Sequence, residues 1–191
     1  MAPSLWLSLG LLAGTTQIDQ RLADYQWDTT LRPAWGAEAL AGTHRLAVGA
    51  RIWRTESQQT LDPTTGDDAR VGASTAELVG RVRLADWLGF GLWSDASGGW
   101  MRLSYDPDQM TIDAGGTPVT VQLAPIDTWT AGLSLALERS LPGGWNAGLE
   151  AGHRWYELEA VHRNGSTIES RSERFGDWTA RLALARRWGR S

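Results

Sequence analysis

The side chains of this sequence best able to do charged chemistry together are Glu38, Glu77, Glu138 and Glu150 and, against them, Arg45, Arg51, Arg81, Arg83, Arg154 and Arg181. Neighbouring carboxylates can serve as general acid and base towards a substrate. Carboxylates that face guanidinium groups instead neutralise one another, and inside a closed structure that pairing makes burial tolerable. Three histidines, His44, His153 and His162, add candidate bases. Further acids gather at Asp62, Asp67 and Asp68 and at Asp106, Asp108 and Asp113, but the stretch DPTTGDD lacks the ligand spacing of a calcium loop. The 191 residues include no Cys, which excludes a disulfide scaffold and a thiolate metal site. Neither a metal nor a cofactor is expected. A net charge of −4 lacks the basic field of a nucleic-acid binder.

Which chemistry these residues do depends on the elements that hold them. Residues 145–155 read WNAGLEAGHRW and residues 178–188 read WTARLALARRW, each a pair of tryptophans ten apart. Side chains alternate along a strand, so both members of such a pair share a face. On a helix they would point about 80° apart. Alternation of this kind predicts eight strands, at 4–13, 31–41, 44–56, 74–85, 87–94, 128–140, 145–160 and 176–188. Connections take turns between short and long. Gly42-Thr43, Ala85-Asp86 and Leu141-Pro-Gly-Gly144 are short, whereas 14–30, 57–73, 95–127 and 161–175 are long and polar. That is an up-and-down meander, and eight strands suffice to close a barrel filled by its own side chains. In the last long connection, Asn164-Gly165 signals a type I′ hairpin that pairs Val161 with Ile168 and Ala151 with Trp178. Strands seven and eight should therefore project beyond the wall as a ribbon over about 156–175.

Splitting each strand by parity gives one apolar face. It carries Leu5, Leu7, Leu9 and Leu11, then Leu46, Val48 and Ile52, then Leu133, Leu135 and Leu137, then Leu182 and Leu184. The opposite face carries the glutamates and arginines named above, with many of the 22 glycines. A soluble calyx would turn the apolar face inward, and a membrane barrel turns it towards lipid. The tryptophans favour lipid. Trp35, Trp129, Trp155 and Trp178 lie on the apolar face beside the long loops, and Trp87, Trp145 and Trp188 lie beside the short turns. Tryptophan favours the membrane–water boundary, and ten residues of tilted strand span about 25 Å, the height of an outer-membrane barrel's apolar band. No run of eighteen apolar residues offers a transmembrane helix. The opening MAPSLWLSLGLLAG has no basic residue ahead of its apolar stretch, so it reads as a mature start at Ala2 with any signal peptide already removed.

In strand count, in the alternation of turns and loops, in its tryptophan belts and in its closing strand WTARLALARRW, the whole chain resembles the small eight-stranded outer-membrane barrels of Gram-negative bacteria. This is the group of the OmpA membrane domain and OmpX. The resemblance implies a single all-β domain over 1–191, an antiparallel up-and-down transmembrane β-barrel in the outer membrane, with short periplasmic turns and long extracellular loops. Members of the group end on an aromatic residue, matched here by Trp188 although Gly189-Arg190-Ser191 follow. Some barrels of this size modify lipid A through a His-x-Ser pair. The triplets here, His44-Arg45-Leu46, His153-Arg154-Trp155 and His162-Arg163-Asn164, do not match it. The expectation is a non-enzymatic scaffold or surface-recognition protein whose lumen is plugged by ion pairs. A narrow ion or solute pore is the alternative, and a lipid A-modifying enzyme a distant one. Expected partners are outer-membrane lipids and lipopolysaccharide, whose phosphates Arg54, Arg163, Arg171 and Arg174 could pair with. Another envelope or extracellular protein could also bind the loops.

Overall fold

The computed structural model describes residues 5–62, 67–113, 117–164 and 167–189. Its elements are β1 (Trp6–Gln17), β2 (Arg32–Gly42), β3 (Leu46–Asp62), β4 (Asp67–Trp87), β5 (Phe90–Asp106), β6 (Gln109–Asp113), β7 (Pro118–Gln122), β8 (Ile126–Leu141), β9 (Trp145–Asn164) and β10 (Thr167–Gly189), with a short 3-10 helix at Gln20–Tyr25. Eight of the strands close into an antiparallel ring in the order β1-β10-β9-β8-β5-β4-β3-β2, while β6 and β7 form a separate hairpin in the connection between β5 and β8. Closure lets each spanning strand find a partner on both sides, which hydrocarbon demands of a backbone it surrounds.

Parity assigns the faces. Leu5, Leu11, Leu78 and Leu135 point outward at 70%, 72%, 74% and 54% exposure, against 2% for the luminal Arg51. The ring is thus apolar outside and charged inside.

Turn chemistry sets the lower end. Trp87 pairs with Phe90, leaving Leu88 and Gly89 as a two-residue turn with φ of 50° and 81°, the positive values that a type I′ hairpin requires. The expected turn at Ala85-Asp86 is therefore three residues early; both residues lie in the ladder, past an irregularity between Arg83 and Ala85. Pro142-Gly143-Gly144 closes β8 to β9 as expected, with both glycines at positive φ. Gly42 pairs with Ala47, so the β2–β3 connection runs through Thr43, whose N–H donates to Leu46 O at 2.7 Å.

At the upper end the strands outrun the sequence expectation. Segments 57–73 and 95–127 contain the upper parts of β3, β4 and β5 and the β6–β7 hairpin rather than open loops. TESQQT and its neighbours are polar on both faces because both faces leave the membrane there, so the alternation fades while the backbone ladder continues. The projecting ribbon is present, with β9 and β10 paired up to Asn164 and Thr167. Its register differs from the expected one. Val161 pairs with Ser170 and Ala151 with Ala180, a shift of two residues that keeps every side chain on its face. Charge explains the choice. The observed register sets Glu150 opposite Arg181, Arg154 opposite Asp177 and Glu157 opposite Arg174, whereas the hairpin signal alone sets none of these face to face.

Apolar clusters close the lumen at both ends. Below, Trp6, Leu40, Ala47, Val79, Trp93 and Ala136 pack together. Above, Val71, Met101, Leu103, Tyr156, Leu158 and Phe175 receive Ile18 and Leu22 from the β1–β2 connection. That connection folds inward as a stopper. Asp19 accepts from Gly176 N at 2.8 Å, Arg21 Nη2 donates to Arg174 O at 2.6 Å, and Trp27 bridges to Gln59 on the free edge of β3.

Placing a charge on the outer wall tests this orientation. Leu135→Arg, at mid-height of β8 and facing lipid, is expected to destabilise the barrel by about 2–4 kcal/mol in urea unfolding from vesicles. An unchanged midpoint would contradict a lipid-facing β8.

Candidate functional site

Alternation along β2, β3, β5, β9 and β10 aims a set of charged side chains at the barrel axis. Arg51 from β3 lies at its centre. Its Nη2 donates to Glu38 Oε2 at 3.0 Å and to Glu150 Oε2 at 2.9 Å, and it approaches Asp95 Oδ2 at 3.7 Å. Glu150 also accepts from Arg181 Nη2 at 2.5 Å and from Ser134 Oγ at 2.7 Å. Below this centre, Arg81 Nε donates to Asp95 Oδ1 at 2.8 Å, and Glu138 accepts from Arg187 at 3.1 Å. Above it, Arg154 donates to Asp177 at 2.8 Å and to Thr75 Oγ1 at 2.9 Å, while Tyr156 O–H donates to the other Asp177 oxygen at 2.8 Å. Indoles flank the column: Arg181 lies over Trp53 and Arg187 over Trp6, 5.1 and 4.1 Å from the ring centroids. Each charge is taken from water but given an opposite charge and hydrogen bonds, the condition under which a buried ion pair persists.

Of the ten expected luminal charges, Glu38, Arg51, Glu77, Arg81, Glu150, Arg154 and Arg181 are buried in this column. Glu77 borders a cavity of about 10 Å³, room for one water, shared with Arg154, Arg181 and Ser97. Glu138 is half-buried at the lower end. Arg83 is also half-buried at the lower rim, where it pairs with Asp86 beside the turn. Arg45 is not luminal. It precedes the start of β3 at Leu46 and is exposed in the connection, where strand parity no longer sets a direction. Sequence reasoning missed Asp95 and Asp177. Asp95 fell in a segment read as loop, although it stands directly opposite Arg81. Asp177 lay on the polar face of the expected last strand, but the hairpin register did not set it opposite Arg154, so its pairing went unread.

All the expected belt residues point outward: Trp35, Trp129, Trp155 and Trp178 at the upper boundary and Trp87, Trp145 and Trp188 at the lower. Trp100 joins the upper belt, edge-on to Trp129 with centroids 4.9 Å apart. His153 lies on the outward side between Trp155 and Trp178, 4.7 Å from each ring centroid. A side chain at Gly176 would collide with this imidazole, so the missing Cβ makes the slot it occupies. His44 is exposed in the β2–β3 connection. Among the arginines expected to meet lipopolysaccharide, Arg54 pairs with Glu56 at 3.3 Å and Arg174 with Glu157 at 3.1 Å. Arg171 is exposed, and the side chains of Arg163 and His162 lie outside the described residues.

A closed antiparallel ring with an apolar outer band, two tryptophan belts and a charge-filled lumen defines a small eight-stranded transmembrane β-barrel of the outer-membrane type. No protein-family model and no curated protein sequence matches the chain. Among solved structures, Neisserial surface protein A is similar at a TM-score of 0.48 and 11% identity, covering 94% of this chain and 96% of its own. Ail, the attachment invasion locus protein of Yersinia pestis, solved with the heparin analogue sucrose octasulfate, is similar at 0.47 and 10% identity, covering 98% and 100%. The outer membrane protein AlkL is similar at 0.48 and 14% identity, covering 99% and 92%.

Two substitutions probe the site. Removing Arg51 leaves Glu38, Asp95 and Glu150 facing one another without their shared cation. Arg51→Met is expected to cost about 3–5 kcal/mol in urea unfolding, and adding Glu150→Met should recover part of it. Strictly additive losses would contradict a coupled network. At the stopper, burial alone would raise the Asp19 pKa, but hydrogen bonds from Arg21 and Gly176 outweigh it and hold the carboxyl below the ordinary aspartate range. A depressed pKa means that the charged form stabilises the docked loop. The contribution is present above about pH 4 and is lost as pH falls through the lowered value. Asp19→Asn should lower the hydrogen-exchange protection of the Gly176 amide about tenfold at pH 7. That difference should shrink below pH 4.

Proposed function

We propose that this chain is a non-enzymatic outer-membrane barrel that works as a membrane scaffold and recognises surface partners through the strands it raises above the lipid. The observation that carries this reading is the closed lumen. Apolar clusters seal it below and above, the β1–β2 connection stoppers the top, and the charges between are engaged with one another. What remains to offer a partner is the upper surface, above all the β9–β10 ribbon, whose strands continue well past their barrel neighbours. The luminal carboxylates Glu38, Asp95, Glu150 and Asp177 serve guanidinium groups, which argues against acid–base work on a substrate. Lipopolysaccharide contact falls to the exposed Arg171 and to Arg54 and Arg174, each shared with a neighbouring glutamate. A gated narrow pore is the second reading, favoured by the reach of Arg51 to three carboxylates, which gives it alternative partners.

Replacing residues 159–172 by a tight two-residue turn should leave a barrel whose gel mobility still shifts on boiling, while removing adhesion or co-aggregation that the intact protein confers on expressing cells. Adhesion that survives the replacement would refute recognition by the ribbon. In planar bilayers the intact barrel should show no single-channel steps. Steps that disappear on neutralising Arg51 or Arg81 would establish the pore instead.

A further inference from the structure

The wall of the barrel is forked on one side. Strands β8 and β9 are paired from Leu141 and Trp145 up to Thr130 and Tyr156. Above that point β8 follows β5, to which it pairs as far as Ile126, and β9 follows β10 into the ribbon. The hydroxyl of Thr128 donates to Glu157 O at 2.7 Å across the base of the fork. Between the diverging strands lies an open cleft of about 1110 Å³, enough to seat a small organic molecule.

Its lining is two-sided. Trp100, Trp129 and Trp155 form an aromatic floor at 41%, 71% and 37% exposure. Trp129 and Trp155 belong to the upper belt, so this floor lies at the hydrocarbon boundary. The polar wall carries three carboxylates, Asp127, Glu157 and Glu159, against one guanidinium, Arg174. Arg174 is already committed to Glu157, and Asp127 accepts from Trp100 Nε1 at 3.1 Å and lies 4.0 Å from Arg102. Glu159 has no ion-pair partner among the described residues, so carboxylates still outnumber guanidiniums. An anionic head group would meet net negative charge here. A cation would meet carboxylates and indole faces, both of which attract it.

We propose that this cleft is a binding site for a cationic amphiphile, a molecule with an apolar body for the indole floor and an ammonium-type head for the carboxylate wall. The site shares the foot of the ribbon through Glu157, Glu159 and Arg174, lies outside the closed lumen, and is read by ligand binding rather than by adhesion. Selectivity follows from the order of the two surfaces: the floor takes any alkyl chain, and the wall chooses the sign of the head. Each carboxylate is solvent-exposed and contributes modestly, so discrimination is shared among them.

The test uses the full chain in zwitterionic lipid nanodiscs, with tryptophans replaced by 5-fluorotryptophan and resonances assigned by single Trp→Phe variants. Octyltrimethylammonium, octyl sulfate and octyl glucoside are titrated below their micellar concentrations. The expected result is a saturable shift of Trp100 and Trp129 with the ammonium compound, about tenfold weaker for the sulfate, with Trp87 and Trp145 of the lower belt unmoved. Glu157→Gln and Glu159→Gln should each weaken ammonium binding about two- to fivefold. They should leave glucoside binding unchanged and gel mobility before and after boiling like the parent's. Equal or tighter binding of the sulfate would overturn the proposal in favour of an anion site. Parallel, unsaturating shifts at both belts would overturn it as bulk partitioning.

Discussion

Water is absent from the hydrocarbon layer, so a strand that crosses it must satisfy every backbone N–H and C=O within the protein. The rest of this structure follows from that constraint. It forces the strands into a ring, and a ring has an inside. Because alternation sends every second side chain there, the chain must fill a narrow space with residues that lipid would reject. The solution here is stacked carboxylate–guanidinium pairs with Arg51 at the centre and apolar plugs at each end. Above the membrane water returns and the ring is no longer compulsory. The strands there separate into a tall ribbon, a second tall wall and an opening between them.

Legibility in the sequence follows the same divide. Where lipid lies on one side and ion pairs on the other, the contrast between Leu135 and Ser134 or between Leu149 and Glu150 is large, and parity placed both faces correctly. The tryptophans were legible for a related reason, since only the boundary suits a ring that is apolar with one wet N–H. Above the boundary the contrast disappears. Residues 57–60 of β3 read as loop because neither face had a reason to be apolar, although they continue the backbone ladder with β4.

Register was the weakest point, and it was recoverable. The hairpin signal Asn164-Gly165 fixed parity but missed the pairing by two. Requiring opposite charges to face each other would have chosen the observed alignment, because it alone sets Glu150 against Arg181, Arg154 against Asp177 and Glu157 against Arg174. The same rule would have drawn Asp95 out of its supposed loop to meet Arg81. Arg45 marks the limit of parity: one residue outside the strand, its direction is set by the turn.

Unequal strand heights have a consequence within the plane of the membrane. β1 contributes 12 residues and β10 contributes 23, so the rim rises and falls around the circumference. A neighbour diffusing up to β1 and β2 meets a low flank of leucine and alanine with Trp35 at its upper edge. One arriving at β8 and β9 meets aromatic rings, carboxylates and the foot of the ribbon. The cross-section is round, but the protein has a compass bearing, and encounters in the bilayer depend on the azimuth of approach.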